Sequence, residues 1–149
     1  MKTGLDLMLD PIRQNELDEA LDLFHFAWRM IVAQPDKLLA RQGLSRVHHR
    51  ILYFIRRNPN LSVNGLVEVL GTSKQALHPA LKALVDRKLV MALPSPEDRR
   101  IKRLSLTPKG KSFEEVLSGD QRERLEKAFQ GLGTAKEKVW REMMGRIAE

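Results

Sequence analysis

GTSKQALHPALKALVDRKL (residues 71–89), running into VMALPSPEDRRIKRLSLTPKG (residues 90–110), decides how this chain is read. In the first half Ala76, Leu77, Ala80, Leu81, Leu84 and Val85 recur at helical spacing, which predicts one amphipathic helix over about Ser73 to Lys88. Its apolar stripe faces a core, and Lys74, Gln75, His78 and Lys82 stay on the other side. The second half switches to two short β-like runs, Leu89 to Leu93 and Ile101 to Leu106, separated by the turn PSPEDRR. Alternation along the second run sends Leu104 and Leu106 inward and Arg103 and Ser105 outward. A basic hairpin thus follows a capped helix with a polar outer face.

Upstream, Ser62 is placed to cap a short helix ending near Leu70, with Val63, Leu66, Val67 and Leu70 on one face and Gly71 in the position of a left-handed C-terminal residue. Thr72-Ser-Lys-Gln75 then reads as a capping box, in which Thr72 and Gln75 each satisfy a free backbone donor. Two consecutive helices joined by a tight glycine turn make a helix-turn-helix. Before them, Ser45 is a plausible cap for a helix from about Arg46 to Arg57 with Val47, Ile51, Phe54 and Ile55 inward, stopped at Asn58-Pro59.

Charge segregates along the chain. Residues 45–111 hold 14 Lys and Arg against four acids, a net of +10, so the flanks together carry −3 of the chain's +7. A basic middle between slightly acidic ends is the electrostatic footprint of a module that binds phosphates. About 24 Å long at the standard rise, the 73–88 helix is long enough to lie in a major groove with its first turns against base edges. Thr72 and Ser73 are suited to phosphate oxygens, Lys74 to guanine or phosphate, and Gln75 to adenine. At the hairpin tip Asp98 stands two residues before Arg100, a carboxylate able to orient a guanidinium for the minor groove, with Arg99 and Lys102 beside it. Double-stranded DNA is the partner these residues imply. The competing readings are a solvated charged surface and a protein-binding face for an acidic partner.

The flanks carry different information. Asn15 to Gln34 reads as a helix ending before Pro35, followed by a linker to Leu44. Leu17, Leu21, Phe24, Trp28 and Ile31 form its stripe, and Leu23, Phe26 and Met30 widen it until little of the circumference is polar. A helix so apolar needs cover from more than one side, which a second subunit supplies. Thr107-Pro108 opens a helix toward Gln130, with Gly119 as a weak point and Gly131 and Gly133 at its end. Thr134-Ala-Lys-Glu137 reads as another capping box, launching a last helix with Trp140, Met143, Met144 and Ile147 on one face. The expected dimer interface is therefore Leu17, Leu21 and Phe24 with Trp140, Met143, Met144 and Ile147.

Several function classes find no support. The chain has no cysteine, so disulfides, thiolate metal sites and thiol switches are excluded. No serine sits in a nucleophile motif, no glycine-rich phosphate loop follows a strand, and none of His25, His48, His49 and His78 pairs at i, i+4. Neither an enzyme, a cofactor nor a metal site is expected. With no membrane-length apolar run and no secretory apolar core near residue 1, a cytoplasmic protein is expected.

The run from Leu44 to Gly110, above all DRRIKRLSLTPKG after a helix ending DRKLV, resembles the MarR family of bacterial and archaeal transcription regulators, and almost the whole chain follows that family's layout. The resemblance implies a mainly α fold with a small β-hairpin wing: a winged helix-turn-helix at 45–110 between dimerisation helices at 1–44 and 111–149. It implies an obligate homodimer reading a palindromic operator, usually as a repressor, with Ser73, Lys74, Gln75 and His78 on the recognition helix and Asp98 and Arg100 in the wing. It also implies a pocket for a small aromatic or phenolic ligand, placed by the family layout at Phe24, Trp28, His49 and Tyr53. Pro79 inside the recognition helix is a departure. It removes a donor and crowds the Gln75 carbonyl, at a cost of roughly 3 kcal/mol in an ordinary helix interior.

Overall fold

The computed structural model describes residues 10–149, so the first nine residues of the expected segment 1–44 lie outside the described residues. The chain divides into two compact units, 1–33 and 34–149. Six helices and three strands are present among the described residues: α1 (Pro11–Arg41), α2 (Arg46–Arg57), β1 (Leu61–Ser62), α3 (Val63–Leu70), α4 (Lys74–Asp86), β2 (Val90–Pro94), β3 (Lys102–Leu106), α5 (Pro108–Leu132) and α6 (Thr134–Ile147). The mainly helical winged helix-turn-helix expected from the sequence is the fold observed. Among the described residues no helix is long and apolar enough to cross a membrane.

Helix α1 corrects two expectations. It begins earlier, where Asp10 Oδ1 accepts the Arg13 N–H at 2.9 Å and Pro11 occupies the first helical position, the same cap-then-proline signal that opens α5. It also continues through Pro35 to Arg41, so most of the expected linker 35–44 is helical. Pro35 and Leu39, one turn apart, are both fully buried, and their burial outweighs the helical penalty of the proline.

In the second unit the start of α2 follows the sequence reading, with the Ser45 N–H donating to His48 Nδ1 at 3.0 Å. That bond uses the unprotonated ring nitrogen, and burial together with the nearby Arg87 guanidinium lowers the His48 pKa. Ser62 Oγ accepts the Gly65 N–H and Gly71 ends α3 at φ 63°, as expected. The next cap is Ser73, not Thr72: Ser73 Oγ accepts the Ala76 N–H at 3.0 Å. Thr72 is already committed to closing α3, where its N–H reaches Val67 O at 3.3 Å beside the Gly71 bond to Glu68 O. A residue finishing one helix in this way is not in position to cap the next.

Three strands form the wing, not two. Strand β3 lies between β2 and a two-residue β1, with Leu61 opposite Leu104 and Val90 opposite Leu106. Leu104 and Leu106 point inward as the alternation requires, and they join Leu39, Ile51, Leu52, Ile55, Leu66, Leu77, Leu84, Leu89, Val90 and Leu117 in one core. Along α4 the buried face is narrower than the sequence suggested, because Ala76 and Val85 are exposed. The helix nevertheless runs unbroken past Pro79. Helix α5 passes through Gly119 and Gly131 and ends at Gly133, which is also where α6 begins, so Thr134 is the first helical residue and its expected capping box is absent. Glu137 pairs with Arg141 at 3.1 Å instead.

The end of α4 carries one local strain. Lys88 adopts φ 60°, while its N–H and that of Leu89 bond back to Val85 O and Leu84 O. This is the turn that glycine usually makes. Replacing Lys88 by Gly should raise stability by about 0.5–1 kcal/mol, read as a higher denaturant midpoint at unchanged slope. An unchanged or lower midpoint would show that the left-handed lysine costs nothing here.

Candidate nucleic-acid interface

Helix α4 and the wing meet across a groove of about 260 Å³. Lys74, Leu77, His78 and Leu81 of α4 line one side, Arg100, Ile101 and Lys102 of the wing the other, and Ser62 of β1 with Val63 and Asn64 of α3 close the end. Four of the side chains predicted from the sequence are thus brought to one place: Lys74, His78, Arg100 and Lys102. All four are exposed, and among the described residues no acid lines the groove. The sequence reading missed Asn64, although an exposed polar residue among the apolar positions of α3 was a visible signal.

The remaining predicted residues are placed differently. Gln75 is exposed near the start of α4, and Ser73 spends its hydroxyl as the cap described above. Thr72 is half-buried and lines a separate groove with Arg50, Phe54, Val69 and Ala76. Lys82 lies four residues before Asp86 and pairs with it at 2.7 Å, which neutralises the cation at the far half of the helix. Arg99 is exposed at the wing tip.

The tip itself is organised by its carboxylates. Asp98 Oδ1 accepts both the Arg100 N–H at 3.0 Å and Arg100 Nε at 3.1 Å, and Oδ2 accepts Nη2 at 3.3 Å. These bonds to Arg100 hold the Asp98 pKa below the usual carboxylate value. One residue earlier, the Ser95 hydroxyl donates to Glu97 Oε2 at 2.6 Å and lowers that carboxyl too. Ser95 N–H to Ile101 O at 2.7 Å and Ile101 N–H to Asp98 O at 3.0 Å close the loop. The Arg100 side chain stays 91% exposed while held by its neighbour. At the root, Arg103 is not available for a ligand in the same way, since Nη1 donates to Asn60 O at 3.2 Å.

Other predicted residues are distributed between the units. Leu17, Leu21, Phe24 and Trp28 are exposed on α1 in the first unit. In the second, Trp140, Met143 and Ile147 are exposed on α6 and Met144 is half-buried. His49 is buried and its Nε2 is engaged with Ser118, whereas Tyr53 is half-buried and its ring lies under the Arg56 guanidinium at 5.4 Å.

Residues 42–101 match the MarR family model. The HTH-type transcriptional regulator PetP of Rhodobacter capsulatus is 37% identical over 82% of this chain and 74% of its own length. Among solved structures, Staphylococcus aureus MarR in complex with salicylate and kanamycin aligns with TM-score 0.70 at 23% identity, covering 89% of each chain. The transcriptional repressor CouR bound to a 23-mer DNA duplex aligns with TM-score 0.65 at 22% identity, covering 100% of this chain and 99% of its own. Both likenesses are of fold.

Proposed function

This chain belongs to the MarR family of transcription regulators, and from that membership we propose that it is a cytoplasmic homodimeric repressor that binds a palindromic DNA operator and is released by a small aromatic acid or phenol. The observation that carries the proposal is the groove between α4 and the wing, where Lys74, His78, Arg100 and Lys102 converge with no acid among them. The first turn of α4 meets the major groove, with Gln75 and Lys74 at base edges and the free amides behind Ser73 toward phosphate. Arg100, aimed by Asp98, enters the adjacent minor groove.

Two copies are needed to read a palindrome, and exposed apolar side chains support the pairing. Val116, Leu125 and Leu132 on α5 and Val139, Trp140, Met143 and Ile147 on α6 are uncovered in one copy, as are Leu17, Leu21 and Phe24 on α1. Surface of this kind marks an interface in a stable protein. The ligand class is supported by the salicylate in the S. aureus structure, and it acts by shifting the population of dimers whose recognition helices match the operator spacing.

The test is selection of bound fragments from genomic DNA, followed by affinity against salt. A dimer making about 6–10 phosphate contacts should lose roughly 10³–10⁵ in affinity between 50 and 200 mM salt. Binding that ignores salt, or no selected DNA at all, would sink the proposal. An acidic protein captured instead, and lost on charge reversal at Arg99 and Arg100, would establish the protein-binding module in its place.

A further inference from the structure

Between α2 and α5 lies a chain of polar groups that the DNA face does not use. His49 Nε2 is 3.0 Å from Ser118 Oγ, Ser118 Oγ is 2.6 Å from Glu114 Oε1, and Glu114 Oε2 is 2.7 Å from Arg56 Nε. Glu114 is fully buried, Ser118 is 2% exposed and His49 8%. Neither Glu114 nor Ser118, two polar residues within a long helix, was singled out from the sequence.

The proton positions in this chain follow from its chemistry. An ionised Glu114 only accepts, so the Ser118 hydroxyl donates to it. The hydroxyl proton is then spent, and the contact between Ser118 and His49 requires a proton on His49 Nε2. Neutral His49 therefore has its lone pair on Nδ1, and a proton taken up in acid goes there, leaving a buried imidazolium.

We propose that His49 makes DNA affinity sensitive to pH, acting as an acid-triggered release for the regulator. The surroundings determine the direction. From α5 it faces Glu114, and from the last turns of α1 it faces Asp36. Both carboxylates already have guanidinium partners: Glu114 has Arg56, and Asp36 is held by Arg46 through three bonds of 2.8–3.1 Å. On α2 itself Arg46, Arg50 and Arg56 add further positive charge. Burial lowers the His49 pKa, and the two carboxylates offset this only in part. The folded chain thus resists a proton that the unfolded chain accepts at about pH 6.5. The stability carried by neutral His49 is complete above that pH and is lost as pH falls from there through the lower folded value.

The mechanical route is short. Helix α2 packs its Ile51, Leu52 and Ile55 into the same core as Leu77 and Leu84 of α4, and α5 contributes Leu117. Loosening α2 against α5 removes the support behind the recognition helix, and the population shifts away from the DNA-competent form.

The DNA part of this proposal rests on the regulator reading above, so the experiment has two arms. In the first, thermal unfolding of the full chain is followed from pH 8 to 5 with the His49→Gln variant alongside, and imidazole nitrogens are observed by NMR. Wild type should lose stability below about pH 6.5 more steeply than the variant, with His49 protonated at Nε2 in neutral solution. In the second, DNA affinity of the full chain is measured, and a loss of about 5- to 10-fold between pH 7.5 and 5.5 should shrink to under about 2-fold with His49→Gln. Should His49→Gln fail to fold, Ser118→Ala, which removes the acceptor of the Nε2 proton, must shift the pH midpoint of both losses. Equal pH profiles with and without His49, or a neutral ring protonated at Nδ1, overturns the proposal. If DNA is bound at no pH, the regulator reading fails while the first arm still decides the proton coupling.

Discussion

Gly110→Ala should lose roughly 3 kcal/mol of stability or more, beyond the usual cost of overfilling a core. A Cβ built on Gly110 would stand 1.9 Å from the Leu89 carbonyl oxygen and 2.9 Å from its carbon. The obstacle is backbone, and it is pinned. Leu89 O accepts the Thr107 N–H at 3.1 Å, and Lys88 O accepts the Thr107 hydroxyl at 2.6 Å. Thr107 also caps α5 by accepting the Gly110 N–H at 2.9 Å. The end of α4, the root of the wing and the start of α5 are joined at this one point, so making room for a methyl group pulls on all three. For a chain of this length the melting temperature should fall by about 6–12 °C. The same substitution at Gly119 is the control. There a methyl group would meet Glu115 Oε1 at 3.5 Å, ordinary contact, and should stabilise the helix by about 0.5–1 kcal/mol. Similar melting temperatures for the two variants would refute the steric account.

Arg100→Ala should weaken operator binding by about 10- to 100-fold without touching stability. A well-placed arginine contact is worth about 1–3 kcal/mol, and every 1.4 kcal/mol is about a tenfold change in affinity. The Arg100 side chain is 91% exposed, so its removal should leave the fold unchanged. Its value lies in being held: two side-chain bonds to Asp98 fix a long side chain before DNA arrives, which reduces the entropy lost on binding. Asp98→Ala should therefore also weaken binding although it removes a negative charge from a DNA-facing loop. Tighter binding by Asp98→Ala would mean that the carboxylate acts only by repulsion. Lys82→Ala provides the contrast, since Lys82 is already matched by Asp86, and its effect should stay within about 3-fold. Anisotropy titrations on one selected fragment at fixed salt, with melting curves of each variant, separate these outcomes.

The structure also refines the residues that the sequence singled out. Lys74 and His78 are far in the chain from Arg100 and Lys102, yet all four line one groove. Thr72 and Lys82 keep their places near that face yet are occupied otherwise, one closing α3 and the other paired with Asp86. Such commitments are set by neighbours that are close in space, and a residue's type alone does not reveal them.

By itself the sequence determined the six helices, the two strands of the hairpin and their order. Periodicity, caps and breakers are local: Ser45, Ser62 and Thr107 start helices within one turn of themselves, Gly71 ends one through its own φ, and Leu104 and Leu106 take the inner face through the two-residue repeat of a strand. The carboxylate two residues before Arg100 is local in the same sense. Tertiary structure alone decided what depended on a distant partner. The helix continues through Pro35 because that ring is buried, β1 exists because Leu61 meets Leu104, Glu114 is interior because Arg56 and Ser118 receive it, and Gly110 is needed because the Leu89 carbonyl passes over it. In each case packing or a long-range hydrogen bond outweighs a local preference of a few kcal/mol at most, and those partners are brought together only when the chain folds.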